Sequence, residues 1–253
     1  MAQTMQRGPV TGTAMNRRKR KAPFFVEFYR SAIGKKYAMA VSGVILMGFV
    51  LAHMIGNLKM YLGPAELDRY GEFLRELLVP LLPRTVTLWL IRSVLIAAFA
   101  VHIHAAYALT MMNRRARPVR YQSPRDYIAA NFASRTMRWT GVIVLAFLAF
   151  HLADFTWGVK GIRGGGDSWH RGAPYENLVA SFNRPVVAIL YIVANLALGI
   201  HLWHGGWSLF QSLGLNNPRF NQWRRWFAWS FAGIIVVANV SFPIAVLADI
   251  VKV

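Results

Sequence analysis

Five apolar stretches, each long enough to cross a lipid bilayer, constrain this chain more than any other feature. They run roughly from Tyr37 to Tyr61, Thr85 to Met112, Trp139 to Trp157, Pro185 to Leu213 and Phe227 to Val251. A hydrocarbon core of about 30 Å takes about 20 residues of helix to span. Inside it every backbone N–H and C=O must find a partner within the protein. None of the five stretches alternates as a barrel strand would. The sequence therefore predicts an all-α integral membrane protein with five transmembrane helices, spans one to five in chain order. A content of 55% hydrophobic residues and a mean hydropathy of +0.34 agree with it.

Outside the spans the chain divides simply. Residues 1–36 read as a basic tail containing RRKRK (Arg17 to Lys21), with no apolar core of a cleavable signal peptide. Within it, Pro23 to Lys36 mixes aromatic and basic residues, as an interfacial helix would. Residues 37–253 read as one transmembrane domain. Between spans one and two, GPAELDRYGEFLRELLVPLLP (Gly63 to Pro83) carries Leu67, Tyr70, Leu74 and Leu77 on one side, which predicts a short amphipathic helix capping the bundle. No internal repeat stands out.

A net charge of +19 raises the question of nucleic acid, and the placement of the charges answers it. Nine Lys and Arg precede span one, seven lie between Arg114 and Arg138, and three between Arg219 and Arg225. The two intervening loops hold six of the acids: Glu66, Asp68, Glu72, Glu76, Asp167 and Glu176. Charge that alternates by loop is the positive-inside pattern and not a nucleic-acid footprint. It places the chain in the inner (cytoplasmic) membrane, N-terminus cytoplasmic and C-terminus outside.

There is no cysteine, which excludes disulfides, thiolate metal sites, iron–sulfur ligation and covalently attached haem. There are seven histidines, and only His170 lies in a loop; His53, His102, His104, His151, His201 and His204 fall in spans one to four. Ionisable side chains are costly in a membrane and usually face the bundle interior for a reason, although a lone histidine there often only bonds a neighbouring helix. Depth separates the two readings. At 1.5 Å per residue, His53 and His151 come to the outer half of the membrane, and His102 and His201, on helices running the other way, to the inner half. Two histidine pairs, one near each face and each joining alternate helices, are what two bis-histidine b-type haems stacked in a four-helix core require, with the fifth helix outside it. Small residues a turn from the ligands, Ala98, Ala106 and Gly205, leave room for a porphyrin.

Two choices stay open on the residues alone. His102 and His104 point about 200° apart, so only one faces a given haem, and the smoother face of His102 favours it; His201 and His204 are about 60° apart and share a side. Arg92 reads either as a haem-propionate contact near the outer face or as a snorkelling cation. Asp154, three residues after His151, reads as a proton relay or as a hydrogen bond to a neighbouring helix, and the second is favoured. Asn57 and Asn195 read as interhelical hydrogen bonders.

With the histidines placed, the chain resembles the five-helix, two-haem cytochrome b membrane-anchor subunit of succinate:quinone oxidoreductases and fumarate reductases. The resemblance covers nearly everything after the tail and rests on IGKKYAMAVSG, HMIGNL, GPAELDRYGEFLR, HIHAAYALTMMNRRARPVRY, FHLADF and HLWHGGWSLFQSLGLNNPR. It favours His102 over His104 and His201 over His204, giving an inner haem on His102 and His201 and an outer one on His53 and His151. It implies a flavoprotein and an iron–sulfur subunit docked on the basic cytoplasmic face, electron transfer to a quinone, menaquinone being the expected one, and no complete active site in this chain. The assembly is also compatible with higher oligomers. The serine–arginine quinone pair of the smaller one-haem anchors is not matched at Ser42 and Gly43, so the quinone candidates are Lys36, Tyr37 and His204. The competing readings are the cytochrome b anchor of a fumarate reductase, hydrogenase or formate dehydrogenase, a haem-free transporter with histidine proton relays, and a haem-free structural anchor.

Overall fold

A computed structural model describes residues 22–116, 132–166, 169–215 and 217–253. The RRKRK tail segment and most of the basic loop before Arg138 lie outside the described residues. Among the described residues there is no strand. Five helices are long and apolar enough to cross a membrane, with hydropathies of 1.6 to 2.1. They are α2 (Ala32–Asn57), α4 (Val86–Arg115), α5 (Phe132–His151), α7 (Pro185–Ser212) and α8 (Asn221–Leu247), which make this an all-α, multi-pass membrane protein. The shorter helices are α1 (Phe24–Arg30), α3 (Pro64–Glu76) and α6 (Pro174–Phe182).

The junctions follow local chemistry. The expected interfacial helix ends at Arg30, earlier than Lys36, because Ser31 caps a new helix by accepting the Gly34 N–H at 2.9 Å. The corner is tight: a β-carbon at Gly34 would lie 1.9 Å from the Phe28 carbonyl oxygen, so only glycine fits there. Phe24 and Phe25 are left exposed on α1. The amphipathic cap forms with Leu67 buried, but it stops at Glu76, since Pro80 and Pro83 bring no N–H to continue it. The sequence reading did not anticipate α6, whose nine residues bury Tyr175, Leu178, Val179, Ser181 and Phe182 over the end of the bundle where α5 finishes.

The packing has two units. Helix α2 lies along α4, and α5 lies along α7; the units meet where α2 touches α7, and α8 lies along α7 from outside. This makes α7 the centre of the bundle, with 39% of its apolar window buried against 11% for α4. Buried Ala188, Ala194, Ala197, Gly199 and Gly206 let its neighbours approach closely. The side of the bundle where α2 begins is called the near side below, and the opposite side, where α3 and α6 lie, the far side.

Candidate functional site

Four of the six membrane histidines meet in two pairs between the helices. The His102 and His201 ring centroids are 6.3 Å apart with planes at 60°, and those of His53 and His151 are 5.9 Å apart with planes at 87°. A ring nitrogen bonds a metal at about 2 Å. Two such bonds in line, plus the half-width of each ring, bring the centroids to about 6 Å. Both pairs have the spacing of two axial ligands with one atom between them.

The helices joined by each pair, α2 with α5 and α4 with α7, make no extended contact with one another among the described residues. On α2, His53 comes ten positions after Gly43, which stands against His102. On α5, His151 comes ten positions after Gly141, which stands against His201. The near-side and far-side pairs are therefore about 15 Å apart along the bundle.

The ring nitrogens are sorted in a way that suits ligation. Nδ1 of His102 lies 3.2 Å from the Met39 carbonyl oxygen, which can only accept, so this nitrogen carries the hydrogen. Ser42 Oγ, 3.3 Å from the same nitrogen, spends its own proton on the Ala38 and Met39 carbonyls. His201 meets the same arrangement: Nδ1 is 3.4 Å from Thr140 Oγ1, whose proton goes to the Thr136 and Met137 carbonyls. Nδ1 of His151 is 3.4 Å from the Tyr191 hydroxyl, which donates to Asp154 Oδ2 at 3.1 Å. In all three rings the hydrogen sits on Nδ1, leaving the Nε2 lone pair to coordinate. These residues fit a haem iron, which brings four in-plane nitrogens and asks the protein for two axial ones.

This likeness between the histidine surroundings corrects the expectation of no internal repeat. MAVSGVILMGFVLAH (Met39 to His53) and MRWTGVIVLAFLAFH (Met137 to His151) share the methionine, the hydroxyl residue, Gly-Val-Ile, a phenylalanine and the histidine at the same spacing. The helices after them place Ala98 and His102 in register with Ala197 and His201. The two units α2–α4 and α5–α7 are thus copies of one motif running the same way. Hydropathy hides the repeat because every span is apolar; it is carried by the few residues that touch a histidine. Each phenylalanine packs on the histidine a turn later, at 5.3 Å for Phe49 on His53 and 5.8 Å for Phe147 on His151.

At the far side Asp154 is fully buried in a π-helical turn, Leu152–Thr156. It accepts hydrogen bonds from Ser181 Oγ at 2.5 Å and the Gly164 N–H at 3.3 Å, and pairs with Arg184 at 3.2 Å. The expected bond to a neighbouring helix is present, and Tyr191 links it to His151.

The other candidates lie apart from the pairs. His104 is exposed and bonds the Tyr29 hydroxyl of α1 at 2.5 Å. His204 is half-buried a turn beyond His201. Arg92 is exposed and lies over the Trp89 ring at 5.1 Å, while its register, ten residues before His102, puts it at the level of the far-side pair. Lys36 and Tyr37 are exposed at the near end of α2. Asn195 accepts from Asn239 of α8 at 2.9 Å, the interhelical bond expected of it, whereas Asn57 makes none among the described residues. The sequence reading did not single out Met39, Thr140, Ser181, Arg184 or Tyr191, and took Ser42 only as a position to compare for quinone. Compared with protein-family models, curated proteins and solved structures, the chain matches none.

Proposed function

We propose that this chain is a di-haem cytochrome b, the membrane anchor of a succinate:quinone oxidoreductase, carrying electrons between an iron–sulfur partner and membrane quinone. The observation that supports it most is the pair of histidine pairs, each with rings about 6 Å apart, stacked about 15 Å apart along the bundle. Each haem, when bound, supplies a one-electron iron couple within the bilayer. The chain's part would be to hold the four histidines at fixed heights and to keep Nδ1 of His102, His151 and His201 engaged, leaving Nε2 free to bind a metal. Phe49 and Phe147 pack on the far-side rings and keep that pair surrounded by apolar groups.

In this reading the near side faces the cytoplasm, where the basic tail and loops dock the iron–sulfur and flavoprotein subunits. His102 and His201 would hold the haem nearer that docking face, and His53 and His151 the one farther from it. Quinone exchanges with the membrane at Lys36, Tyr37 and His204 or at the far side.

The test is a reduced-minus-oxidised optical spectrum with pyridine haemochrome quantification on the purified complex. About two b haems per chain are expected. His53→Ala, His102→Ala, His151→Ala and His201→Ala should each abolish one, and His104→Ala and His204→Ala neither. Wild-type protein without haem would return the histidines to helix packing.

A further inference from the structure

The two histidine pairs share a motif but not their surroundings, and the difference is a buried carboxylate. The near-side ligands rest on neutral groups, the Met39 carbonyl, Ser42 and Thr140. On the far side the hydrogen-bond chain from His151 runs through Tyr191 to Asp154. In the α2–α4 unit the positions in register with Asp154 and Tyr191 are Gly56 and Arg92, so the copy around His53 has no such chain. We infer that Asp154 and Tyr191 are positioning residues that lower the reduction potential of the far-side haem through His151. The inference rests on the two-haem reading.

The direction of the effect follows from the donors. Tyr191 has one proton, which goes to Asp154 Oδ2, so toward His151 its oxygen accepts the Nδ1 hydrogen. An imidazole whose far N–H is drawn toward a carboxylate, directly or through a hydroxyl, is a stronger electron donor to the metal. A stronger axial donor stabilises the oxidised iron, and the potential falls. Ser181, the Gly164 N–H and Arg184 hold the carboxylate facing Tyr191 and withdraw part of its charge. Their opposing pull gives the inference a sign that packing alone would not.

The experiment is a redox titration of the wild-type complex and three variants, each haem being identified by its loss in His102→Ala or His53→Ala. Tyr191→Phe cuts the link and leaves the Asp154–Arg184 pair in place. It should raise the far-side midpoint, by up to about tenfold in the reduced-to-oxidised ratio or about 59 mV for one electron, and leave the near-side midpoint unmoved. Asp154→Asn should raise it as well. Ser181→Ala removes a neutral donor from the carboxylate and should lower it. Two bound haems with a far-side midpoint unchanged in Tyr191→Phe and Ser181→Ala would overturn the inference while leaving the cytochrome reading intact, and shifts of one sign in both would also overturn it. If Tyr191→Phe loses the far-side haem, the sign in Ser181→Ala decides. A wild-type chain without haem would sink the cytochrome reading first.

Discussion

Gly141 stands against the His201 ring so closely that a β-carbon added to it would lie 3.4 Å from Cε1, and Gly43 meets His102 in the same way at 3.5 Å. Those distances allow a methyl group with little adjustment and nothing larger. Gly141→Ala and Gly43→Ala are expected to keep both haems. Gly141→Leu and Gly43→Leu, by pushing an imidazole off its axis, should lose the near-side haem and keep the far-side one. Haem quantification on membranes from the four variants checks this; retention of two haems in both leucine variants would show that neither glycine shapes the site.

Ser42 and Thr140 each accept from an axial histidine while spending their own proton on their helix backbone. Partners of this kind fix ring orientation, and removing one typically weakens metal binding about 10- to 100-fold. Ser42→Ala and Thr140→Val should therefore lose near-side haem during extended detergent washing, with the far-side haem retained. Equal loss from both positions would mean that the variants act on the fold rather than on one pair.

What the sequence made legible and what it hid divide along the range of the interaction. Five spans, the four paired histidines and the capping helix follow from periodicity and composition, which are local. Histidine depth sorts the residues into an inner and an outer level because helix rise is constant, whatever the exact helix boundaries; the choice of His102 over His104 and of His201 over His204 leans on the resemblance. Tyr191 and Ser181 escaped notice because a tyrosine in an apolar span and a serine in a short loop helix have no pattern of their own. Their roles appear only when α6 folds over the end of α5 and brings Ser181 to Asp154. The ion pair with Arg184 was hidden for the same reason, since that arginine reads as the edge of span four.

Asp154 has no exposure to solvent, and its charge is met by Arg184, which is 34% exposed in its side chain. Breaking a fully buried pair from one side costs about 3–5 kcal/mol; partial exposure of Arg184 reduces this to about 2–3 kcal/mol. Asp154→Ala should lower the thermal unfolding temperature in detergent below that of Tyr191→Phe, whose two lost hydroxyl hydrogen bonds, to Asp154 and with His151, are worth about 1 kcal/mol each. Gly164→Ala should also destabilise, since its β-carbon would lie 2.3 Å from the Ser181 backbone nitrogen and force apart the loop and helix that enclose the carboxylate. Unfolding followed by circular dichroism in the same detergent ranks the three. Equal stability of Asp154→Ala and Tyr191→Phe would count against a structural share for the ion pair.

Because the chain has no cysteine, any single cysteine introduced into it is the only thiol in the chain, and labelling of the purified chain reports that position alone. Glu176 is exposed on α6 at the far side and Gln222 is exposed at the start of α8 on the near side, with α7 crossing between them. With the basic near side in the cytoplasm, Glu176→Cys should react with a membrane-impermeant maleimide on intact spheroplasts, and Gln222→Cys only after permeabilisation. Glu176 on the short helix α6 and Gln222 in the first turn of α8 are both exposed polar residues, so the substitutions leave the packed core of the bundle unaltered. The reverse labelling would put the basic loops outside, against the positive-inside rule, and would move the proposed docking face for the iron–sulfur partner to the wrong side of the membrane for a cytoplasmic dehydrogenase.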